Sequence, residues 1–488
     1  MRWSDLKESI VEFVYEYKKE KSGMLGVFLL LLLVATAVFA PYITEPNIPD
    51  KWTNSQAWFG NPQAVPPTWF DMFTSKKLSE HSVYDINSDN VKITQLDEKT
   101  VLLEVTYTFD DKYYYPPKGI LVSGFNTTVK SRRKPVKVDV TWVRPDGKEV
   151  TIVTRKSVSS STTINIGGDG EISKEVYKWL YKETTGQEIS DMDIPIDKVL
   201  TSDMVFPLFA KVESGMNPDD ILSNPEPLHG TYTLKLTFKK RYPEDQINFE
   251  NLKIVFQGRV YGAMGTDYLG RDLWAGLVWG SRVSLVIGIL VSVISTLVGI
   301  IYGVTSAYLG GNVDELMMRI NEIFSSIPSL PILILLGASL KGHITLWIIV
   351  GMLVLFGWVG VARVARSMAF QIKEQVYVEA ARALGAGNGR IIFKHIVPQL
   401  LPYAFASMAL GVPGAVIAEA SLSFLGLGDP TQVTWGQILN AAQTQAATLK
   451  GYWWWVIPPG IGIALVGLTF VLIGLSLDKI LNPRLKRL

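Results

Sequence analysis

Residues 375–402 read QVYVEAARALGAGNGRIIFKHIVPQLLP, and this stretch decides how the rest of the chain is interpreted. Residues 377–384 are rich in alanine and other good helix formers. Gly385 and the two glycines that follow it are typical of a helix end, since glycine adopts the left-handed conformation that closes one. Asn388 is suited to cap a second short helix, which Pro398 would end. The pattern therefore predicts two short helices joined by a glycine turn.

The chemistry of this helical pair leaves two interpretations open. Glu379 and Arg382 are three residues apart and so lie on one face of the first helix. Small side chains around them would allow another surface to approach closely: Ala380, Ala381 and Ala383. A rigid lever moved by another protein fits this pattern, and an ordinary interfacial loop fits it as well.

Apolar segments before and after this stretch predict six membrane-spanning helices, since a span needs about 20 apolar residues. The first is residues 23–43, and a cleaved signal peptide is disfavoured there because no small-residue cleavage site stands out. The others follow after a long polar region: 284–307, 320–340, 346–365, 403–425 and 456–477. Pro328 and Pro331 interrupt the third span, which neighbouring helices can tolerate.

The distribution of positive charge predicts the orientation of these spans, because cytoplasmic loops are rich in lysine and arginine. Residues 1–22, the link at 366–402 and the C-terminal tail would share the cytoplasmic side. The basic residues beside the spans are Lys18, Lys19, Lys21, Arg363, Arg366, Lys373, Arg382, Arg390, Lys394, Lys479, Arg484, Lys486 and Arg487. Both termini are therefore predicted to be cytoplasmic, and residues 44–260 extracytoplasmic.

Composition agrees with a membrane bundle joined to a polar domain. The 488 residues are 48% hydrophobic and 19% charged, with a mean hydropathy of +0.21. The absence of cysteine excludes disulfides and thiol chemistry, and the four histidines have no metal-ligand spacing. We therefore predict neither a metal site nor a cofactor in this chain. A net charge of +2 does not favour nucleic acid as a partner.

Residues 44–260 predict a mainly-β extracytoplasmic domain. Several segments alternate apolar and polar residues, which is the period of half-buried strands. Residues 145–147 (PDG) indicate a hairpin turn, and residues 172–182 indicate one helix. An antiparallel, sandwich-like fold accommodates these elements, and about 200 residues can bury a core of their own.

Three features of this domain are candidate binding or modification sites. Residues 167–170 (GGDG) fit a cation loop, but a plain turn is the simpler interpretation of one carboxylate among glycines. Asn126 begins an N-x-[ST] triplet and is a possible glycosylation site. Five tryptophans can either stack on sugars or serve as core and membrane-interface residues: Trp52, Trp58, Trp69, Trp142 and Trp179.

Several of these segments together resemble one family. Glu379-Ala380-Ala381, Gly385, Ile396 and Pro398 resemble the EAA signature in membrane subunits of ABC importers. Other stretches resemble the dipeptide, oligopeptide and nickel branch, and specifically its C-type permease. These are Gly265-Thr266-Asp267-Tyr268-Leu269-Gly270-Arg271-Asp272, residues 280–285, residues 308–314, the stretch 419–428 that begins with Glu419, Trp435-Gly436 and Asn482-Pro483-Arg484.

The resemblance implies a type I permease fold of six helices and a set of partners. These are a homologous second permease in a heterodimer, two ABC ATPase subunits that bind ATP and Mg, an extracytoplasmic substrate-binding protein and the plasma membrane. It also implies that Glu379, Ala380, Ala381, Arg382 and Gly385 contact the ATPase. The resemblance covers the first span and residues from about 264 to the end, but the large insertion departs from the family's short outer loop.

Other functions were compared with this one. The chain has no GxxxxGK[ST] phosphate loop, so ATP hydrolysis would belong to a partner. A secondary transporter needs ionisable groups within its spans, and the second span has none. A membrane-anchored receptor needs a single span. Short peptides are the predicted substrate, with β-linked oligosaccharides as the alternative.

Overall fold

The computed structural model describes residues 13–129, 135–158, 162–340 and 342–481. These fall into two compact units, Met1–Ser55 with Leu273–Leu488, and Gln56–Asp272. The predicted Asn482-Pro483-Arg484 ending lies outside the described residues, as do residues 1–12 of the N-terminal segment.

In the described N-terminal part of the first unit, a helical stretch at residues 13–19 precedes three further helices. Helix α1 is Lys21–Val38, α2 is Ala40–Ile43 and α3 is Ile48–Trp52. Helix α1 is apolar on all faces and long enough to cross a membrane. The break after it coincides with Pro41, which is accommodated at the start of α2.

The Gln56–Asp272 unit is built from antiparallel strands. The 3-10 turns Ser55–Trp58 and Thr68–Phe73 precede them. The strands are β1 Ser82–Asp85, β2 Val91–Gln95, β3 Thr100–Phe109, β4 Gly119–Ser123, β5 Asn126–Thr128, β6 Val136–Val143, β7 Glu149–Val158, β8 Ile164–Ile166, β9 Gly230–Lys239, β10 Gln246–Asn248 and β11 Lys253–Gln257. Four helices lie between β8 and β9: α4 Gly170–Thr185, α5 Ile196–Thr201, α6 Phe206–Phe209 and α7 Pro218–Ser223.

Two sheets of this unit share one hydrophobic core. One has the strand order β2-β3-β9-β6-β7, and the other has the order β1-β11-β4-β8. Leu103 and Val140 of the first sheet belong to the same buried cluster as Ile120 and Phe256 of the second. Alternation along β3 produces this arrangement, because every second side chain faces the core. The predicted mainly-β region is confirmed.

Two local predictions for this unit also agree with the structure. The turn at Asp146 and Gly147 joins β6 to β7, and Gly147 has a φ of +81°. Helix α4 contains the predicted helix at 172–182 and begins two residues earlier. Its first turn is capped by Asp169, whose carboxylate accepts a hydrogen bond from the Glu171 amide at 3.1 Å.

This unit begins at residue 56 and ends at residue 272, so both of its bounds lie 12 residues later in the chain than the predicted bounds of 44 and 260. Helix α3 belongs to the first unit, where the Trp52 ring lies over Gly276. Residues 261–272 belong to the second unit, because their backbone is hydrogen-bonded to residues 64–68. Neither segment has a hydrophobic period that would reveal these contacts.

The rest of the first unit is helical. Its helices are α8 Leu273–Leu309, α9 Gly311–Ser326, α10 Ser329–Ser339, α11 Leu346–Lys373, α12 Val376–Ala383, α13 Asn388–Ile391, α14 Leu401–Phe424, α15 Trp435–Thr444 and α16 Trp453–Leu481. A π turn, Ile392–Ile396, and a 3-10 turn, Val397–Leu400, join α13 to α14. Five described stretches are long and apolar enough to span a membrane, counting residues 388–424 as one.

The predicted third span, residues 320–340, differs most from expectation. It is divided between α9 and α10, which bend by 77° at the break between them. Ile327 and Pro328 are extended there, because the ring of a proline disfavours the helical conformation of the residue before it. The described residues therefore contain six candidate spans only when this bent pair is counted as one span.

The predicted end at Pro398 is a second difference. The chain continues through Pro398 into α14, and the π turn before the proline widens the helix. In a regular α-helix the proline ring would meet the carbonyl group four residues earlier. The wider turn removes that conflict.

Candidate coupling site and transmembrane cavity

The glycine turn after α12 has the geometry of a helix end. Gly385 has a φ of +83°, and its amide donates to the Arg382 carbonyl at 3.0 Å. The Ala386 amide donates to the Ala381 carbonyl at 3.0 Å. Apart from the adjoining backbone, no group of the described residues lies within 4 Å of the position of a Cβ on Gly385, so backbone conformation and not space requires glycine there.

One face of the α12–α13 pair is buried in the helical unit. Val378 of α12 is fully buried, and so are Ile391 and Ile396. They belong to a cluster that includes Val304 of α8 and Ala365 of α11. A displacement of the helical pair would therefore be transmitted to two long helices.

The opposite face is exposed and carries the residues predicted to contact a partner. Glu379, Ala380, Arg382 and Gly385 are exposed, and Ala381 is half-buried. The structure brings all five together on one helix and its terminal turn. A charged face with small residues at its centre can receive a protein surface, but within the described residues it has no group arranged for catalysis.

Two large apolar residues extend this face and were missed by the sequence analysis. Val376 is 81% exposed and Leu384 is 89% exposed. Side chains of this kind are costly to leave in water and often mark binding surfaces. Their only signal in the sequence is their apolar character beside the glycine turn.

Arg382 and Asn388 attach this loop to the end of α8. The Arg382 guanidinium lies 5.5 Å from the centre of the Tyr308 ring, which is a cation–π contact. The Tyr308 hydroxyl donates to Asn388 Oδ1 at 3.3 Å. Asn388 therefore does not have the predicted capping role, and Gly387 occupies the capping position instead.

An ion pair joins helices near this loop. Arg366 of α11 donates to Asp314 of α9, with nitrogen–oxygen distances of 2.6 Å for Nε and 2.5 Å for Nη2. The Ser306 hydroxyl of α8 also donates to this carboxylate. Lys373 Nζ donates to the Ala307 carbonyl at 3.1 Å. These bonds link three helices, a role that the sequence does not reveal, since in the sequence Arg366 and Lys373 indicate only topology.

A cavity of about 300 Å³ lies among α8, α10, α11 and α14. No charged side chain is among the described residues that line it. Its polar groups are hydroxyls from Ser292, Ser295, Thr296, Ser329 and Ser407. Ser329 and Leu333 come directly after the break at Pro328 and bring the bent segment into the wall. The cavity suits a polar but uncharged section of a pathway.

The stretch Gly265-Thr266-Asp267-Tyr268-Leu269-Gly270-Arg271-Asp272 forms a bonded turn in the Gln56–Asp272 unit. Thr266 and Asp267 are fully buried. The Asp267 carboxylate accepts from the Arg271 amide at 2.9 Å and from Arg271 Nε at 2.5 Å. Gly270 has a φ of +79°. These contacts indicate a structural role for the stretch in positioning the segment around residues 61–66.

Glu419 lies in α14, in the other unit. Its carboxylate is fully buried, and one oxygen accepts from the Ser423 hydroxyl at 2.7 Å. The Thr434 side chain is the second polar neighbour of this carboxylate. Glu419, predicted as part of an outer signature segment, is thus a buried residue of a candidate membrane span.

The remaining candidates have separate locations. Asn126 is exposed in β5. Asp169, the possible cation ligand, caps α4 and pairs with Lys156 at 2.9 Å. Of the five tryptophans, Trp52, Trp58 and Trp142 are buried, Trp179 is half-buried and Trp69 is exposed. These five tryptophans therefore do not form an exposed cluster, because Trp69 is the single exposed member of the set.

Comparison with known proteins gives a consistent result. The family model for the binding-protein-dependent transport system inner membrane component matches residues 295–487. The dipeptide transport system permease protein DppC of Bacillus subtilis is 40% identical over 224 residues, which are 46% of this chain and 69% of that protein. The oligopeptide transport system permease protein OppC of the same organism is 40% identical over 225 residues, 46% and 72% of the two chains. OppC of Haemophilus influenzae is 38% identical over 228 residues, 46% and 71%.

Proposed function

This chain belongs to the family of binding-protein-dependent transport system inner membrane components, as a permease of the C type found in dipeptide and oligopeptide ABC importers, and from that membership we propose that it forms half of the translocation pathway for short peptides. The relatives are peptide permeases, so the oligosaccharide alternative is not favoured. A secondary transporter and a membrane-anchored receptor are disfavoured on the same grounds.

The single observation that carries the coupling role is the two-sided α12–α13 pair. Its buried face packs on α8 and α11, and its exposed face presents Glu379, Ala380 and Leu384. A nucleotide-driven movement of an ATPase subunit against the exposed face would reach the long helices through the buried one. ATP and Mg would be bound by the ATPase subunits, not by this chain.

The cavity among α8, α10, α11 and α14 supports a place for this chain in the pathway. Its hydroxyl groups can exchange hydrogen bonds with peptide amides, and the absence of charge from its described lining avoids trapping a charged terminus. A homologous second permease would supply the other half. An extracytoplasmic binding protein would deliver the peptide.

The topology that this function requires has six spans, with α9 and α10 counted as one. Both termini and the α12–α13 pair would be cytoplasmic, and the Gln56–Asp272 unit extracytoplasmic, in a plasma-membrane protein. The basic residues of the link at 366–402 support this orientation.

Cysteine cross-linking can test the coupling role, because the chain has no cysteine of its own. We expect Leu384→Cys to cross-link to a cysteine introduced in the ATPase subunit of the assembled complex, and the yield to change when ATP is added. Leu449→Cys is the matched control, since Leu449 is equally exposed but lies between α15 and α16. Cross-linking at Leu449 and none at Leu384 would overturn the assignment.

The substrate class has a separate test. The complex reconstituted with its binding protein should hydrolyse ATP faster when short peptides are added. Stimulation by β-linked oligosaccharides and none by peptides would contradict the substrate proposal but leave the coupling site intact.

A further inference from the structure

The 3-10 turn Thr68–Phe73 places large apolar side chains on the surface of the Gln56–Asp272 unit. Met72 is 71% exposed, Phe73 is 75% exposed and Trp69 is 40% exposed. The Trp69 and Phe73 rings meet edge to face, with centres 6.3 Å apart. We call Trp69, Met72 and Phe73 the apolar knuckle. Contiguous apolar surface of this kind marks a binding site for a protein or a membrane.

Hydrogen bonds hold the knuckle in its conformation. The Asp71 carboxylate accepts from the Leu78 amide at 2.7 Å and from the Thr74 hydroxyl at 2.8 Å. Lys77 Nζ donates to the Asp71 carbonyl at 2.6 Å, and the Trp69 indole donates to the Ala263 carbonyl at 2.8 Å. The apolar side chains are therefore presented by a fixed turn and not by a loose loop, so little ordering is needed when they bind.

The knuckle lies at the end of the unit where the chain both enters and leaves. The Thr68 amide donates to the Gly262 carbonyl at 2.9 Å, and the Ala64 amide donates to the Asp267 carbonyl at 2.8 Å. The Asn61 amide group donates to the Gly270 carbonyl at 2.9 Å. The first and last segments of the unit are thus paired, and the knuckle is attached to that pair.

The chain that leaves this end enters a candidate membrane span at once. Asp272 is followed directly by Leu273, the first residue of α8. Trp274, which is half-buried, lies in the first turn of that helix, and indoles are enriched at membrane interfaces. Trp279, in the second turn, is buried and donates from its indole to the Thr44 hydroxyl at 2.9 Å. Residues 279–307 rise about 42 Å at 1.5 Å per residue, which matches a bilayer with its headgroup layers. Asp272 precedes Trp279 by seven residues, so the chain leaves the unit within about 11 Å of the outer edge of that layer.

Basic residues accompany the knuckle. Lys76 is exposed, with its ammonium group 3.9 Å from the centre of the Tyr114 ring, and Lys77 is half-buried. Aromatic and apolar side chains beside lysines are the composition of a membrane-interface anchor. We propose that the apolar knuckle inserts into the headgroup layer of the bilayer from which α8 emerges, with Lys76 against anionic lipid.

Site-directed spin labelling tests this contact in the full chain. The absence of native cysteine allows Met72→Cys or Phe73→Cys to carry the only label on this chain, and the partner subunits would be prepared without reactive cysteines. The assembled complex would be placed in nanodiscs of mixed phosphatidylglycerol and phosphatidylcholine. The label would be probed with oxygen, which concentrates in lipid, and with a water-soluble nickel chelate.

The expected result is high accessibility to oxygen and low accessibility to the chelate at positions 72 and 73. Met192→Cys is the matched control, because Met192 is 97% exposed on the same unit and should show the opposite pattern. A label at 72 that meets the chelate as often as one at 192 would overturn the proposal. Protection from both reagents would also overturn it, because a protein partner would then cover the knuckle.

A separate comparison tests whether Lys76 contributes to the contact with anionic lipid. In phosphatidylglycerol-containing discs, Lys76→Glu should raise collisions of the chelate with the label at 72 severalfold, and in pure phosphatidylcholine it should change them little. An equal effect in both discs would overturn the anionic-lipid part of the proposal. Because this readout does not use transport, its outcome is independent of the substrate and of the coupling role.

Discussion

Gly385 shows how one backbone angle can support a protein interface. Its φ of +83° closes α12 and directs the chain into α13, while the surroundings of its missing Cβ are open. A residue with a Cβ would be destabilised by about 1 kcal/mol in this left-handed conformation. The position therefore matters for the shape of the exposed face more than for the packing of the helical unit.

We expect Gly385→Asp to lower peptide uptake strongly while ATP hydrolysis continues, because the distorted turn displaces the coupling face from its partner. The folded yield should stay near that of the native chain, since the strain is only about 1 kcal/mol. Uptake and ATPase rates of the reconstituted complex measure both effects.

Gly387→Asp provides the matched control. Gly387 is also open to solvent but has a φ of −68° at a helix-capping position, where aspartate is favoured. It should transport normally. Native uptake by the Gly385→Asp variant would refute the coupling assignment, as would an equal loss in both variants.

His81 links the stability of the Gln56–Asp272 unit to pH. Burial lowers the pKa of its imidazole to about 4, and its ring packs against Tyr261 with centres 5.3 Å apart. The neutral form is therefore the one that the folded state accommodates. The unfolded chain binds the proton more readily, so stability is complete above about pH 6.5 and falls as the pH drops toward 4.

We expect protonation of His81 to lower the free energy of unfolding by up to about 3 kcal/mol as the pH falls from about 6.5 to about 4. His81→Phe keeps the ring but cannot titrate, so the difference in stability between the two chains should grow in favour of the variant at acidic pH. Denaturant unfolding at pH 7.5 and at pH 4.5 measures that difference. A constant difference at the two pH values would contradict the prediction.

At the scale of elements, the packing of α8 on α11 depends on glycine. A Cβ on Gly303 would collide with the carbonyl oxygen of Ala362 and lie 2.8 Å from the Arg366 amide. Both obstacles are backbone atoms, which cannot rotate away. The two helices approach closely here because position 303 has no side chain.

We therefore expect Gly303→Ala to separate α8 from α11 and to destabilise the helical unit by roughly 2 kcal/mol, as overpacking does elsewhere. Gly351→Ala is the control, since that position in α11 has nothing within 4 Å of a Cβ. Thermal unfolding in detergent compares them. Equal melting temperatures for the two variants would show that the helices adjust without cost.

Sequence patterns predicted the elements whose signal is local. Alternation along β3, the turn at Asp146-Gly147 and the glycine closure of α12 all follow from short-range rules. The same rules did not predict the 77° bend between α9 and α10, because a proline signals an interruption and not its angle. They also did not predict the π turn that carries the chain past Pro398, since that turn depends on packing in the cluster around Ile396.

At the coupling site, motif and structure contributed different residues. The family resemblance implied the grouping of Glu379, Ala380, Ala381, Arg382 and Gly385, and helical spacing places only Glu379 and Arg382 of this set on one face. The contact of Arg382 with Tyr308 and the bond between Arg366 and Asp314 join positions far apart in sequence. Spacing along one segment carries no information about such contacts.

At the scale of the whole molecule, the Gln56–Asp272 unit has a core of its own. Two sheets and α4 contribute to one buried cluster, and every described residue of that cluster lies within the unit. A domain of this size can bury enough apolar surface to fold independently.

We expect residues 56–272, expressed alone, to fold and to unfold in one cooperative transition. The fragment should be monomeric unless the apolar knuckle binds it to membranes. Circular dichroism with heating, together with dispersion of amide signals in NMR spectra, measures this. Trp142→Ala should abolish the transition or lower its midpoint strongly, since loss of a fully buried tryptophan costs about 3–5 kcal/mol. A gradual, non-cooperative melt of the native fragment would contradict the expectation.

The pairing of residues 61–68 with residues 262–270 has an evolutionary consequence. Because the beginning and the end of the unit are held together by their own hydrogen bonds, the intervening DNA can be gained, lost or exchanged in a single recombination event without unravelling the helices that flank it.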